Sequence, residues 1–289
     1  KIYTMMGGGG IAVHNGLNAK IENSEYAGSF SAKNIVWEIR DSLKLKWIFD
    51  SSIKGFINGG IVSLNEGNIQ NVNSRGNSLF ILPCTYVHSQ NSDYGKGMFY
   101  YGGIVGYNAQ SGIIKGGENG MEIRISEDIL NSCAPTYTNN FAAANIVGYN
   151  EGMVENAYSN ADSLIVGTCN LGRAAGVVGI NAASGLIDKA LTKTALYVSY
   201  NNTLCITSAS GIVGNNNGTI KNSASMGNIY VESYHSYSSS RSGGGVVAGI
   251  AGIGNGKIYN SFNAGNLLCK DSTNAVGDCY LYGLGKNNY

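Results

Sequence analysis

The hexapeptide Gly103-Ile-Val-Gly-Tyr-Asn108 returns almost unchanged as Asn145-Ile-Val-Gly-Tyr-Asn150, and this repetition decides the fold. We call it the core motif. Related copies begin at five further positions, which are Gly10, Gly60, Gly176, Gly211 and Gly249. The seven copies start 31 to 50 residues apart and tile nearly all of the 289-residue chain. Self-similarity at this period is the signature of a stacked repeat architecture.

A second element follows each core motif. A turn glycine comes first, then an aliphatic residue, and Asn usually stands two residues later. The aliphatic residues are Ile21, Ile69, Ile114, Val154, Ile187, Ile220 and Ile258. Short β-branched runs bounded by Gly or Asn are typical of strands. We therefore predict an all-β fold, a parallel β-helix or β-solenoid of about seven repeats, right-handed by the general preference of parallel crossovers.

Two positions of the core motif carry specific expectations. The last residue is Asn in six of the seven copies, and stacked Asn amides can hydrogen-bond along a ladder while tolerating a left-handed backbone. The fourth residue is Gly in five copies, which predicts a tight bend or the close approach of another backbone. These glycines are Gly106, Gly148, Gly179, Gly214 and Gly252.

The repeat predicts one domain over residues 1–289. Its repeat cores lie near 9–30, 59–80, 102–122, 144–166, 175–198, 210–231 and 248–268. Three longer insertions interrupt them near 31–58, 81–101 and 232–243, and we expect these to form lateral loops.

Composition narrows the function classes. The chain has 42 glycines, only 13% charged residues and a net charge of +1, with no basic tract, so we expect no nucleic-acid partner. No apolar run reaches the roughly 18 residues that a membrane helix needs, so we expect no membrane segment. The chain begins at Lys1 without a signal peptide, which we interpret as a piece of a longer protein.

Cysteine usage favours an oxidising compartment. None of the six cysteines has C-x-x-C spacing, which argues against a zinc site, and an even number fits disulfides. They are Cys84, Cys133, Cys169, Cys205, Cys269 and Cys279. One of several possible pairings joins Cys169 to Cys205 on adjacent repeats, Cys269 to Cys279, and Cys84 to Cys133. The alternative is that the cysteines are buried free thiols. Asn201 and Asn217 begin glycosylation sequons.

The insertions hold the candidate binding residues. The first insertion contains both tryptophans, which suit either a flap over the repeat or an aromatic ligand platform. The other two are rich in Tyr and Ser, as antibody-like binding loops are, although solvated loops without a ligand have the same composition. The candidates are Trp37, Trp47, Tyr86, Tyr94, Tyr100, Tyr101, Tyr234, His235 and Tyr237.

Catalytic motifs are missing from the sequence. It has three distant histidines, no H-E-x-x-H and no G-x-S-x-G. The nearest candidate is a stacked row in which Glu155 and Asp188 are flanked by Lys115 and Lys221. Such a row would bind calcium or cleave glycosides, or its alternating charges would compensate one another. We expect compensation, and hence no enzyme, metal or cofactor.

The pattern Gly-[Ile/Val]-Val-Gly-x-Asn, followed by x-Ile-x-Asn-[Ser/Ala], resembles the GLUG repeat, most clearly in units three to six. Val13 and Ser63 replace the second glycine in the first two units. GLUG repeats occur in large secreted or cell-surface bacterial adhesin-like proteins and in the non-catalytic N-terminal region of proteases that cut immunoglobulin A. The resemblance implies a β-helical extracellular stalk or binding region, and no protease activity.

These observations together predict a non-catalytic extracellular or cell-surface module that displays binding loops on a rigid rod. Its expected partner is a host or neighbouring-cell glycoprotein or glycan. Two alternatives stay open. One is a self-assembling extracellular fibre subunit, because uncapped solenoid ends expose strand edges that pair with another copy. The other is a polysaccharide-active β-helix enzyme.

Overall fold

The computed structural model describes residues 7–33, 55–82, 98–127, 140–168, 172–200, 207–233, 245–271 and 279–284. Within these ranges the regular elements are β-strands that pair in parallel, and none is a helix. It follows that no helix in the described part of the chain could span a membrane. The predicted all-β, parallel class is confirmed.

The strands form four sheets, and the chain visits the sheets in the same order seven times. We call one such pass a circuit and number the sheets by the order of visits. Sheet 1 has eight strands: Gly7–Gly9, Gly55–Gly59, Met98–Gly102, Asn140–Ala144, Gly172–Ala175, Thr207–Ser210, Gly245–Ala248 and Cys279–Tyr282. Sheet 2 has seven: Ala12–Asn15, Val62–Asn65, Val105–Asn108, Val147–Asn150, Val178–Asn181, Val213–Asn216 and Ala251–Ile253.

Sheets 3 and 4 complete each circuit. Sheet 3 has seven strands: Lys20–Glu22, Asn68–Gln70, Ile113–Lys115, Met153–Glu155, Leu186–Asp188, Thr219–Lys221 and Lys257–Tyr259. Sheet 4 has eleven, because its strand is split in the last four circuits: Glu25–Lys33, Asn73–Leu82, Glu118–Glu127, Tyr158–Ser159, Ser163–Thr168, Leu191–Thr192, Ala195–Tyr200, Ala224–Ser225, Ile229–Ser233, Phe262–Asn263 and Leu267–Asp271.

Three of the four connections in a circuit are short. Two residues join sheet 1 to sheet 2 and sheet 3 to sheet 4 in every circuit, and two to four residues join sheet 2 to sheet 3. The connection from sheet 4 back to sheet 1 ranges from 3 to 21 residues. It comprises residues 34–54, 83–97, 128–139, 169–171, 201–206, 234–244 and 272–278. Nearly all variation in circuit length therefore lies at one corner, which we call the loop corner.

Two apolar cores run through the stack. In the first core, side chains of sheet 2 and of the connection between sheets 1 and 2 pack against side chains of sheet 3, for example Ile104 and Val105 against Ile114. The second packs sheet 1 against sheet 4, as with Tyr101 and Ile123. The aliphatic residues of the second element point inward as expected, because those of circuits two to six are fully buried.

The predicted asparagine ladder is present. The core-motif Asn of each of the first five circuits donates from Nδ2 to Oδ1 of the Asn in the next circuit, over distances of 2.7 to 2.9 Å. The ladder is buried and runs through six circuits, formed by Asn15, Asn65, Asn108, Asn150, Asn181 and Asn216. A ladder of this kind satisfies amide groups that would otherwise be buried at a large free-energy cost.

The left-handed backbone lies elsewhere than we expected. It occurs at the residue that directly follows each sheet 3 strand, which is the second recurring Asn of the repeat, with φ between 45° and 53° in the Asn residues. The Asn residues involved are Asn23, Asn71, Asn156, Asn222 and Asn260. At the same position the third circuit has Gly116, with φ 66°, and the fifth has Lys189, with φ 56°. The turn into sheet 4 therefore requires this conformation, and the core-motif Asn is selected for its amide instead.

The expectation for the fourth residue of the core motif is confirmed at Gly148. A Cβ atom there would lie 2.7 Å from the backbone nitrogen of Tyr101 and 2.7 Å from the backbone oxygen of Gly106. Atoms at that distance overlap, so only glycine lets the sheet 1 backbone come this close to sheet 2.

Candidate functional site

The charged row on sheet 3 is the described feature closest to a catalytic arrangement. Lys115, Glu155, Asp188 and Lys221 are consecutive neighbours in the register of four adjacent circuits. Lys115 Nζ lies 3.4 Å from Glu155 Oε2, and Lys221 Nζ lies 3.2 Å from Asp188 Oδ2. Lys189 Nζ approaches Glu155 Oε1 at 4.0 Å. Each carboxylate therefore has its own ammonium partner, as the interpretation of compensating charges predicts.

Asp188 is held in its ionised form. Burial by itself would raise the pKa of this carboxyl group, but Asn222 Nδ2 donates a hydrogen bond to Oδ1 at 2.9 Å. Hydrogen bonding and the positive charge of Lys221, with the charge of Lys189, outweigh burial and lower the pKa of Asp188 below its usual value. A general acid for glycoside cleavage needs the opposite shift. The geometry thus favours a structural role for this row.

No group of three or more His, Cys, Asp or Glu side chains that could hold a metal ion occurs among the described residues. Glu155 and Asp188 are two carboxylates on neighbouring circuits, and both are engaged with lysines. A calcium site needs six to eight oxygen ligands, which this pair does not approach.

Two of the predicted binding residues lie in a strand. Tyr100 and Tyr101 belong to the sheet 1 strand Met98–Gly102, and not to a lateral loop. Tyr101 is fully buried in the core between sheets 1 and 4, and Tyr100 is 5% exposed. Neither side chain is available to a partner, so both are removed from the candidate set. Trp37, Trp47, Tyr86, Tyr94, Tyr234, His235 and Tyr237 lie outside the described residues.

Tyr100 joins an aromatic cluster that the sequence reasoning missed. Its ring lies 5.8 Å from the ring of Tyr107 and 4.8 Å from that of Tyr149, and the last two rings are stacked at 5.0 Å. Burial and then the hydrogen-bonded carboxylate of Glu151 raise the pKa of the Tyr107 hydroxyl well above its usual value. The fifth position of the core motif, Tyr in circuits three and four, was the available signal for this stack.

The cysteines and sequons lie mostly at or beyond the edges of the described ranges. Cys269 is disulfide-bonded, and its predicted pairing with Cys279 stays a prediction because the Cys279 side chain is outside the described part. Cys84, Cys133, Cys169, Cys205 and Asn201 also lie outside it. Asn217 is exposed in the turn between sheets 2 and 3, where a glycan would have space.

Comparison with known proteins adds no relative, because no family model, curated protein or solved structure matches the chain.

Proposed function

We propose that this chain is a right-handed parallel β-helix that serves as a non-catalytic extracellular module, displaying binding loops along a rigid rod. The observation that carries the proposal is the loop corner. Three corners keep nearly constant length through seven circuits, whereas the fourth holds connections of 3 to 21 residues. A frame that stays constant while one set of connections varies is the usual arrangement in binding scaffolds.

The remaining candidate binding residues all fall in connections that start and end at this corner. Trp37 and Trp47 belong to residues 34–54, Tyr86 and Tyr94 to residues 83–97, and the Tyr234 group to residues 234–244. Neighbouring circuits are ~4.8 Å apart, so the first two connections leave the stack side by side, and the third leaves the same corner four circuits further along. Their Trp and Tyr content suits contact with a glycan or glycoprotein.

Two further observations support the extracellular and non-catalytic parts of the proposal. Cys269 is disulfide-bonded, as expected in an oxidising compartment. The carboxylates of the sheet 3 row are paired with lysines, so they are poor candidates for acid–base chemistry. The resemblance to GLUG repeats of adhesin-like proteins points the same way and is part of the proposal.

Binding of the purified chain to glycan and glycoprotein arrays tests the display function. We expect binding that the double substitution Trp37→Ala and Trp47→Ala, or Tyr234→Ala with Tyr237→Ala, reduces while circular dichroism stays unchanged. Tyr259→Ala is the matched control, since Tyr259 is an exposed aromatic residue on sheet 3. Binding that survives both loop variants would refute display at the loop corner. Cleavage of a polysaccharide that Glu155→Gln abolishes would instead support the enzyme alternative.

End-to-end assembly is a second candidate, because both terminal circuits expose apolar side chains that equivalent circuits bury or half-bury. Ile11 and Val13 are 44% and 54% exposed in the first circuit, whereas the aligned residues of the second circuit, Ile61 and Ser63, are buried. Beyond the last complete circuit, Leu281 and Leu284 are 53% and 52% exposed. Another copy, or further circuits of a longer chain, would cover them. Negative-stain imaging over a concentration series distinguishes the cases: filaments one rod wide support self-assembly, and short rods at every concentration contradict it.

A further inference from the structure

The outer face of sheet 4 changes character along the stack. In the first three circuits it is charged, with an ion pair between Arg75 and Glu25 at 3.7 Å and another between Arg124 and Glu122 at 2.6 Å. In the last four circuits more than half of the outward positions are apolar or aromatic, with polar residues such as Asn160, Asn228 and Asn266 among them. We call the apolar and aromatic positions the sheet 4 patch: Tyr158, Ile165, Leu191, Tyr197, Ala224, Met226, Tyr230, Phe262 and Leu268.

The patch faces outward because its residues alternate with buried ones. Tyr197 is 48% exposed between the buried residues Leu196 and Val198, and Leu268 is 55% exposed. The register aligns Ile165, Tyr197, Tyr230 and Leu268 in one row across the four circuits. Stacking more circuits on either end would cover strand edges, and would leave this face open.

The outer face of sheet 4 in these four circuits is broad enough for a protein contact. Four circuits spaced by ~4.8 Å and about ten strand residues at ~3.3 Å give a face of about 19 by 33 Å, roughly 600 Å². The largest apolar patch on a typical monomer is about 300–600 Å², and a stable protein interface needs about 800 Å² of accessible surface on each partner. Two such faces in contact would bury roughly 1,200 Å² in total with their polar side chains included, which is at the low end of the range for specific interfaces.

The charge and shape of the patch fit a second copy of the same chain. Four charged residues lie within it or at its margin, Asp162, Lys193, Glu232 and Lys270, and their formal charges cancel. Glu232 and Lys270 are already paired at 3.2 Å, and Lys193 Nζ lies 5.7 Å from the centre of the Tyr158 ring. Two copies of a neutral face do not repel each other.

We propose that the sheet 4 patch is a face-to-face homodimer interface. A two-fold axis parallel to the strands, placed between circuits five and six, exchanges the two middle circuits of the patch. Tyr197 then faces Tyr230 of the second copy, and Leu191 faces Ala224 of the second copy, so aromatic side chains meet aromatic ones and aliphatic side chains meet aliphatic ones. Flat sheets pack in this way at a separation of ~10 Å. The contact is isologous and therefore closed, unlike an end-to-end contact.

Sedimentation velocity of the full 289-residue chain between about 1 and 100 µM tests the proposal. We expect a monomer–dimer equilibrium that does not proceed to larger species. Tyr197→Lys places an unpaired charge at the centre of the contact and should weaken the dimer by about tenfold or more. Tyr259→Lys is the matched control, since Tyr259 is 49% exposed on sheet 3 against 48% for Tyr197, and it should leave the equilibrium unchanged.

A chain that stays monomeric over the whole range would overturn the proposal. So would a dimer that Tyr197→Lys and Tyr259→Lys weaken equally, because the contact would then not be specific to sheet 4. Open-ended oligomers that are insensitive to Tyr197→Lys would also contradict it and would favour end-to-end assembly. Leu268→Lys provides a second variant at the patch, and thermal melts of all variants show that the fold is retained.

Discussion

The buried asparagine ladder makes a quantitative prediction at Asn150, which lies in its middle. Asn150 Nδ2 donates to Asn181 Oδ1 at 2.8 Å and to the carbonyl oxygen of Gly152 at 3.2 Å. Asn150 Oδ1 accepts from Asn108 Nδ2 at 2.8 Å. Asn150→Ala removes all three hydrogen bonds, each with a net value of about 1 kcal/mol, and leaves a buried acceptor on Asn181 unsatisfied. We expect the free energy of unfolding to fall by about 3–5 kcal/mol.

Urea unfolding monitored by circular dichroism measures this loss, with Asn217→Ala as the control. Asn217 is exposed, so its substitution should change stability by less than about 0.5 kcal/mol. A loss below about 1 kcal/mol for Asn150→Ala would refute the argument, because the ladder would then contribute no more than a surface contact.

Asn150→Asp adds a signature that depends on pH. At neutral pH its carboxylate would be buried and would face the acceptor oxygen of Asn181, so the variant should be at least as unstable as Asn150→Ala. A protonated carboxyl group can donate to that oxygen and restore the bond. The pKa of the new group is therefore raised in the folded state, and its deficit relative to the parent chain should shrink as the pH falls from that raised pKa toward the unfolded pKa of about 3.9, and should stay at its minimum below it. A deficit independent of pH would contradict the donor role of this side chain.

Three further predictions concern single positions. Gly148→Ala should lower the free energy of unfolding by about 2 kcal/mol or more, because its Cβ would overlap the backbone of Tyr101. Gly16→Ala is the control, since a Cβ at Gly16 has open space, and it should leave the free energy of unfolding in a urea titration nearly unchanged. Lys189→Asn should be more stable than Lys189→Ala by about 0.5–1 kcal/mol, since both variants lose the contact with Glu155 and Asn tolerates the positive φ of that position better. Equal melting temperatures of the two variants would argue against backbone strain there. The lowered pKa of Asp188 contributes stability that is fully present above its unfolded pKa of about 3.9. The advantage over Asp188→Asn should therefore be present at pH 7 and be lost as the pH falls below that unfolded pKa and through the lower folded pKa.

Several features of the fold could be predicted because the repeat itself records them. Residues that recur at one position of each unit occupy one position of each circuit, so the sequence alone aligned Glu155 with Asp188 and predicted the ladder through Asn108 and Asn150. The close backbone approach at Gly148 followed from the same alignment. Such predictions need only the period and the chemistry of stacked identical side chains.

Sheet 1 escaped prediction because its strands do not repeat in sequence. They include Gly55–Gly59, Met98–Gly102 and Asn140–Ala144, which share neither a motif nor an alternation of polar and apolar residues. Both faces of this sheet are covered, by the core toward sheet 4 and by the tyrosines of sheet 2, and a strand buried on both faces has no polar side to mark it. For this reason the sequence pattern places Tyr100 and Tyr101 in a loop, whereas they lie in a strand.

The sheet 4 patch could not be inferred from the sequence either. Its residues vary between circuits, as at Leu191, Ala224 and Phe262, so no motif connects them, and their shared face is a property of the register. The left-handed turns were also misassigned, because Asn recurs twice in each unit and composition does not tell which of the two has a positive φ.

The direction of the asparagine ladder gives the stack an electrical polarity. All five side-chain hydrogen bonds run the same way, from Nδ2 of one circuit to Oδ1 of the next. Backbone dipoles in a β-sheet largely cancel, but these aligned amide dipoles add, as peptide dipoles do in an α-helix. The oxygen end of the row lies at Asn15, and the row stops after Asn216 because the seventh circuit has Gly254 there. The ladder therefore ends in an amide oxygen at Asn15 and in an amide nitrogen at Asn216, and it adds opposite partial charges to the two ends of the row.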